Sequence, residues 1–196
     1  APRVGGISGG ALRQRRSLVV AGTHGKTTTT ALLAWLLDAT GHEPGFLIGG
    51  MPLDFPRSFR LGEPRGLFVI EGDEYDSAFF EKTPKFLRYC PSGAILTSIE
   101  HDHADIYPDL DAVRLAFRRL VNLVPRGGLL LLGQDSPHAA ALRDAAVSSV
   151  ETFGLTPEAT WQATDVEQAE GTVSFTVRRA GERFGRFASP LLGLHN

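Results

Sequence analysis

Residues 21 to 30, AGTHGKTTTT, bring together two glycines, one lysine and four consecutive threonines, directly after an aliphatic run and directly before a helical pattern. Those residue types suit phosphate. Glycines at 22 and 25 let backbone N–H groups turn toward phosphate oxygens, and a helix starting at Lys26 adds partial positive charge there. Lys26 is then placed to bridge the β- and γ-phosphates of a nucleoside triphosphate, and the Thr27 hydroxyl to coordinate Mg²⁺. The spelling departs from the common G-x-x-x-x-G-K-[ST] loop, because Val20 stands where that pattern has its first glycine. A strand-to-helix turn with a surface lysine is the plainer alternative. It leaves the run of β-branched, mediocre helix formers in the first turn unexplained, although threonine also caps helices.

Two acidic stretches offer cation chemistry. LFVIEGDEYD sets Glu71 at the carboxyl end of an apolar run, followed by Asp73, Glu74 and Asp76, and ligands of open α/β sheets bind outside such strand ends. Glu71 is therefore a candidate to hold the Mg²⁺ of a nucleotide, directly or through water; a solvated acidic turn is the alternative, and suits Glu74 and Asp76 better. TSIEHDHADIYPD gathers Glu100, His101, Asp102, His103 and Asp105. Structural zinc needs four ligands and no matching second pair is found, so zinc and a plain polar loop both stand behind a third reading. In that reading His103 helps to hold a second divalent ion in the crevice of Glu71, and because histidine is an unusual ligand for Mg²⁺, tolerance of Mn²⁺ is expected.

The elements that must position these groups follow from periodicity. SLVVAG reads as a buried strand, then a helix from Lys26 to about Ala39 stopped by Gly41. GFLIGG, GLFVIEG, GAILTSIE and GGLLLLG follow as short apolar strands, the last three continuously hydrophobic, as strands covered on both faces should be. Between the last two, Leu110, Val113, Phe117, Leu120 and Val121 recur at helical spacing, and residues 137 to 146 read as another helix. Beyond about residue 150, VETFG, TWQATDVEQ, GTVSFTVRR and ERFGRFAS carry strand composition and tight turns without helices between them. The expected fold is α/β: a mostly parallel P-loop-type sheet flanked by helices, with a small antiparallel subsheet over about 150–190. Residues 1 to 16 read as a lead-in or linker.

Composition sets the bounds. With 42% hydrophobic and 21% charged residues, the 196-residue chain has the balance of a folded domain. Its 20 basic against 22 acidic residues provide no global field for nucleic acid or an anionic membrane, and Arg13, Arg15 and Arg16 read as a solvated approach to the first strand. One cysteine, Cys90, excludes an intrachain disulfide and suits a reducing cytosol. The apolar run from Ala31 to Leu37 is far short of the roughly 20 residues that span a bilayer, and no leader pattern precedes it, so a cytoplasmic, soluble protein is expected.

Three blocks in order, GTHGKTTTT, EGDEYD with EHDHAD, and the terminal GLHN, resemble the ATP-dependent Mur ligases, which build the peptide stem of peptidoglycan. The family's loop is a GT-x-GK-T variant, which accounts for Val20. The resemblance spans residues 20 to 196 and implies the central ATP-binding domain (17–196) of a three-domain enzyme, its UDP-binding and carboxyl-terminal domains absent and the fragment alone inactive. It implies ATP and Mg²⁺ as cofactors, nucleotide contacts from Gly22, Thr23, His24, Gly25, Lys26, Thr27, Thr28, His195 and Asn196, and metal contacts from Thr27, Glu71 and His103. Lys26, Glu71 and His103 carry the catalytic roles, with His24, Thr28 and Asp105 as weaker candidates for lining up the reactants.

Two departures matter. The family continues its last motif as H-N-x-x-N, whereas the second asparagine is not in this sequence; and Arg118 stands where some relatives carry a carbamylated lysine. IGGMPLDF, EYDSAFFEKTPKF and HADIYPDL look most like the branch that joins a murein tripeptide to UDP-N-acetylmuramate, with the L-alanine-adding branch as the alternative. Rivals of another class are a P-loop kinase or GTPase, and a nucleotide-binding regulatory module.

Overall fold

A computed structural model of the chain describes residues 12, 14–73, 76–78, 81–101, 107–191 and 193. Strand β1 (Arg16–Ala21) leads into helix α1 (Lys26–Ala39), followed by β2 (Gly45–Leu47), β3 (Phe59–Arg60) and β4 (Leu67–Gly72). Strands β5 (Asp76–Ala78) and β6 (Glu81–Pro84) pair only with each other, and a 3-10 turn over Lys85–Arg88 precedes β7 (Pro91–Leu96). Then come α2 (Leu110–Leu123), β8 (Leu129–Gly133), α3 (Pro137–Ala140), β9 (Ser149–Gly154), β10 (Trp161–Ala169), β11 (Thr172–Arg179) and β12 (Glu182–Ser189). All strands except β5 and β6 join one ten-stranded sheet in the order β12-β11-β10-β9-β8-β7-β1-β4-β2-β3.

Strands β2, β4, β1, β7, β8 and β9 run parallel, so the expected parallel sheet is present. Because side chains alternate across a strand, β1 feeds two cores at once. Val19 and Ala21 pack with Phe68, Ile70, Phe117 and Leu120 on the α2 side. Leu18 and Val20 pack with Val69, Phe46, Phe55 and Ala34 on the α1 side. Continuous apolar strands are the consequence of this two-sided covering, and helices do lie on both faces.

Helix ends follow local chemistry. The α2 helix starts where the Asp109 carboxylate accepts a hydrogen bond from the Ala112 amide at 2.8 Å. Its counterpart α1 ends in a left-handed Gly41 (φ 79°), with the amides of Gly41 and His42 donating to Asp38 and Leu37 carbonyls, the Schellman arrangement that glycine permits.

Two expectations are corrected. The helix over residues 137 to 146 is one α turn followed by a 3-10 stretch, Ala141–Ala145. The first of the four C-terminal strands, β9, pairs parallel with β8 over five positions, so antiparallel pairing starts only at β10 with β11. Hairpins β10–β11 and β11–β12 turn through Glu170–Gly171 and Ala180–Gly181, each with positive φ at both residues, the twist that two-residue hairpins require. Among the described residues, no helix is long and apolar enough to cross a membrane.

Candidate functional site

The chain leaves β1 toward β4 and β2 on one side and reaches β7 on the other, so the carboxyl end of β1 is the point where strand order reverses. Ligands of such sheets bind there. The loop joining β1 to α1 occupies that point. Its backbone is stitched to the continuation of β7: the Thr97 amide donates to the Ala21 carbonyl at 3.0 Å and the Thr23 amide to the Ser98 carbonyl at 2.9 Å. Side chains complete the seam, with the Thr97 hydroxyl donating to the His24 carbonyl at 2.5 Å, the His24 amide to Ser98 Oγ at 3.2 Å, and the Glu100 amide to Thr23 Oγ1 at 2.9 Å.

Gly22 lies at the tightest point, where an added Cβ would stand 2.2 Å from Thr97 Oγ1 and 2.9 Å from the Ser98 amide nitrogen. Gly25 is left-handed (φ 77°) and caps α1 without a side-chain hydrogen bond, and no acidic residue occupies the first turn. The helix therefore presents its amino-terminal charge uncompensated by its own sequence. Lys26 folds back over this loop, its ammonium donating to the Gly22 carbonyl at 2.7 Å and the Thr23 carbonyl at 3.2 Å.

The four threonines separate by task. Thr27 Oγ1 donates to Glu71 Oε1 at 2.9 Å, while Thr30, fully buried, donates back to the Lys26 carbonyl at 2.7 Å. Thr28 and Thr29 are half-buried. The second carboxylate oxygen of Glu71 accepts from the Gly49 amide at 2.7 Å. Glu71 thus joins three elements, β4, α1 and the connection after β2. His24 approaches Glu100 at 3.4 Å, but both side chains are mostly exposed, so the pair adds little.

Sequence reasoning placed Gly22, Thr23, His24, Gly25, Lys26, Thr27, Thr28 and Glu71 at one site, and the structure brings them together. His103, Asp105, His195 and Asn196 lie outside the described residues. His101 points its Nε2 to within 3.3 Å of the Tyr107 carbonyl, six positions on in sequence. Among the described residues no group of three or more His, Cys, Asp or Glu side chains is arranged to hold a metal. The oxygens of Thr27 and Glu71, side by side at a helix start next to a lysine, nevertheless fit a hard divalent cation that arrives with a polyphosphate. Gly49, Thr97 and Ser98 were missed. The only signal for the last two is that polar residues abruptly follow the apolar run GAIL.

Tyr89 flanks the site. Its phenol is pushed up from 10 to about 12, first by burial and then by the negative charges of Asp73 and Glu71. Below pH 10 the phenol is neutral folded or unfolded, so the preference for the folded form is intact there and fades as pH rises through about 12. Alkaline difference spectra of the wild type and Tyr89→Phe should therefore differ by one phenolate that appears only near pH 12. Its appearance near pH 10 would contradict this placement of the ring.

A profile of the Mur ligase middle domain matches residues 20–196. The chain is 42% identical over 190 residues to the UDP-N-acetylmuramate--L-alanyl-gamma-D-glutamyl-meso-2,6-diaminoheptandioate ligase of Escherichia coli (strain K12), covering 94% of this chain and 40% of that protein. It is 39% identical to the UDP-N-acetylmuramate--L-alanine ligase of Desulfatibacillum aliphaticivorans, covering 94% and 39%. Among solved structures, the UDP-N-acetylmuramate:L-alanyl-gamma-D-glutamyl-meso-diaminopimelate ligase from Neisseria meningitides superimposes with a TM-score of 0.83 at 41% identity, covering 94% of this chain and 58% of that one. The chain spans about two-fifths of the length of the curated relatives it matches.

Proposed function

Because this chain belongs to the Mur ligase family, matching its middle domain, we propose that it is the ATP-using part of a ligase that joins the tripeptide L-alanyl-γ-D-glutamyl-meso-diaminopimelate to UDP-N-acetylmuramate. The observation that carries this reading is the Thr27–Glu71 hydrogen bond at the reversal point of the sheet, next to a loop over which the Lys26 ammonium is folded. Regions of the full-length protein outside this chain hold the UDP end and the incoming amine. The reaction belongs in the cytoplasm, where ATP and UDP-linked precursors are available.

In this mechanism a carboxylate oxygen of the muramate lactyl group attacks the γ-phosphorus of ATP. The bond to the β-phosphate oxygen breaks, giving an acyl phosphate and ADP. The tripeptide amine then attacks the acyl carbon, gives up a proton and expels inorganic phosphate. Protein groups contribute placement and charge. Lys26 exchanges its two loop carbonyls for phosphate oxygens, the loop amides of residues 22 to 28 hold the phosphates, and His195 with Asn196 seats adenine. Thr27 and Glu71 would hold the cation of the nucleotide, with His103 at a second ion; once bound, these cations neutralise charge on the phosphate oxygens.

Full-length protein supplied with ATP and UDP-N-acetylmuramate, with tripeptide and L-alanine in parallel, should release ADP and form an amide only with the tripeptide. The 39% identity to an L-alanine ligase makes the second amine the informative comparison. Amide formation with L-alanine alone would reassign the branch. Phosphoryl transfer without either acceptor would point to a kinase or GTPase, and no turnover at all to a regulatory module.

A further inference from the structure

The Glu71 carboxylate is held from a side that neither the phosphate loop nor its own strand supplies. Leu47 of β2 lies beside Ile70 of β4 in parallel register, so the backbone just past β2 runs alongside Glu71. There the Gly49 amide donates to Oε2 at 2.7 Å while Thr27 donates to Oε1 at 2.9 Å. A Cβ on Gly49 would stand 2.7 and 2.8 Å from the two carboxylate oxygens and 2.9 Å from their carbon, so the carboxylate, the far end of a flexible side chain, would have to move aside while the backbone stayed. Yet Gly49 is not among the glycines of positive φ, so no left-handed backbone demands glycine there. Space, not conformation, calls for glycine here.

The segment presenting that amide is itself anchored. Ile48 is buried among Phe46, Phe55 and Val69, and its amide donates to the Ser58 carbonyl at 2.9 Å. Gly50 packs against α1 in turn, a Cβ there lying 3.1 Å from Thr27 Cγ2. A glutamate has three rotatable bonds, and a free carboxylate would surrender that freedom each time it engaged a cation. Two donors on separate, core-anchored elements remove the freedom beforehand.

We propose that Gly49 is a positioning residue, whose amide aims the Glu71 carboxylate at Thr27 and whose missing side chain leaves the room for it to lie there. The inference rests on the reading that Thr27 and Glu71 hold the cation of the bound nucleotide. Groups that orient a metal ligand commonly control affinity for the metal by 10- to 100-fold, roughly.

The test is Gly49→Ala in the full-length protein, with ADP as probe, titrated calorimetrically with and without Mg²⁺. Expected is an unchanged melting temperature and metal-free ADP affinity, with the strengthening of ADP binding by Mg²⁺ reduced about tenfold. Adding Glu71→Asp, one methylene shorter, to Gly49→Ala should recover part of that loss, whereas Glu71→Asp alone in the wild type should not improve binding. Independently of any variant at 49, the Gly49 amide proton should resonate far downfield and move upfield in Glu71→Gln. Wild-type Mg²⁺ dependence in Gly49→Ala, or a parallel loss of melting temperature and metal-free affinity, would overturn the positioning role. Mg²⁺-independent ADP binding by the wild type would instead overturn the underlying cation reading, and the inference with it.

Discussion

Replacing Lys26 by alanine should lower ATP-dependent amide formation by the full-length protein at least about 10²- to 10³-fold, the usual cost of deleting one preorganised charge from a transition-state site. The ammonium is already held at the site. It donates to the Gly22 and Thr23 carbonyls at 2.7 and 3.2 Å, so it sits above the loop proposed to hold the phosphates. A transferring phosphoryl group spreads negative charge over its oxygens, and a neutral methyl group at this position leaves that charge uncompensated. Folding should survive, because a partly exposed lysine bonded to two loop carbonyls contributes little beyond the seam that Thr97 and Ser98 already make. The measurement is amide formed per unit time alongside thermal melting. Near-normal ligation by a folded Lys26→Ala protein would remove the ammonium from the mechanism.

Gly22→Ala should act on both the fold and the site, destabilising the protein by about 2 to 4 kcal/mol and abolishing nucleotide binding in what remains folded. Two costs coincide there. The backbone lies at φ 131°, a region nearly closed to residues with a Cβ, and that Cβ would stand 2.2 Å from Thr97 Oγ1 and 3.0 Å or less from Ser98 backbone atoms. Thr97 cannot retreat without giving up its hydrogen bonds to the Ala21 and His24 carbonyls. Gly171→Ala is the control, since φ is 80° but nothing lies within 4 Å, so it carries only the conformational cost of about 1 kcal/mol. Urea denaturation of both variants separates the two contributions, and nucleotide titration follows the site. Equal stability losses would show that the contact with Thr97 and Ser98 carries no weight.

Both effects arise where a local motif meets a distant strand, and the limits of sequence reading fall along the same line. The span of α1, Lys26 to Ala39, was read correctly because its start is marked by Gly25 and its end by Gly41, neighbours in sequence whose φ values are locally permitted. The apolar stripe of α2 was equally legible, since Val113, Phe117, Leu120 and Val121 state their buried side by spacing alone. By contrast, β9 carries nothing in its six residues that says which way its partner runs. Its parallel pairing with β8 depends on the return path through α3 and the 3-10 turn, whose short alanine-rich segments read equally well as one helix.

For the site, residue types in order were enough to gather the β1–α1 loop, Lys26, Thr27 and Glu71, because strand, glycines, lysine and helix are contiguous and an acidic strand end is a local feature. Which oxygen meets which donor is a different kind of fact. Gly49 lies 22 positions from Glu71 in sequence, and Ser98 lies 74 from His24; only the sheet order, which puts β2 beside β4 and β7 beside β1, brings them together. Periodicity records what each residue buries, and so the sequence by itself determined the two long helices, the apolar strands of the parallel sheet and the chemistry on offer. Tertiary structure alone decided strand direction past β8, the seam under the loop and the clamp on Glu71, because a hydrogen bond between remote groups depends on where the whole chain has placed them.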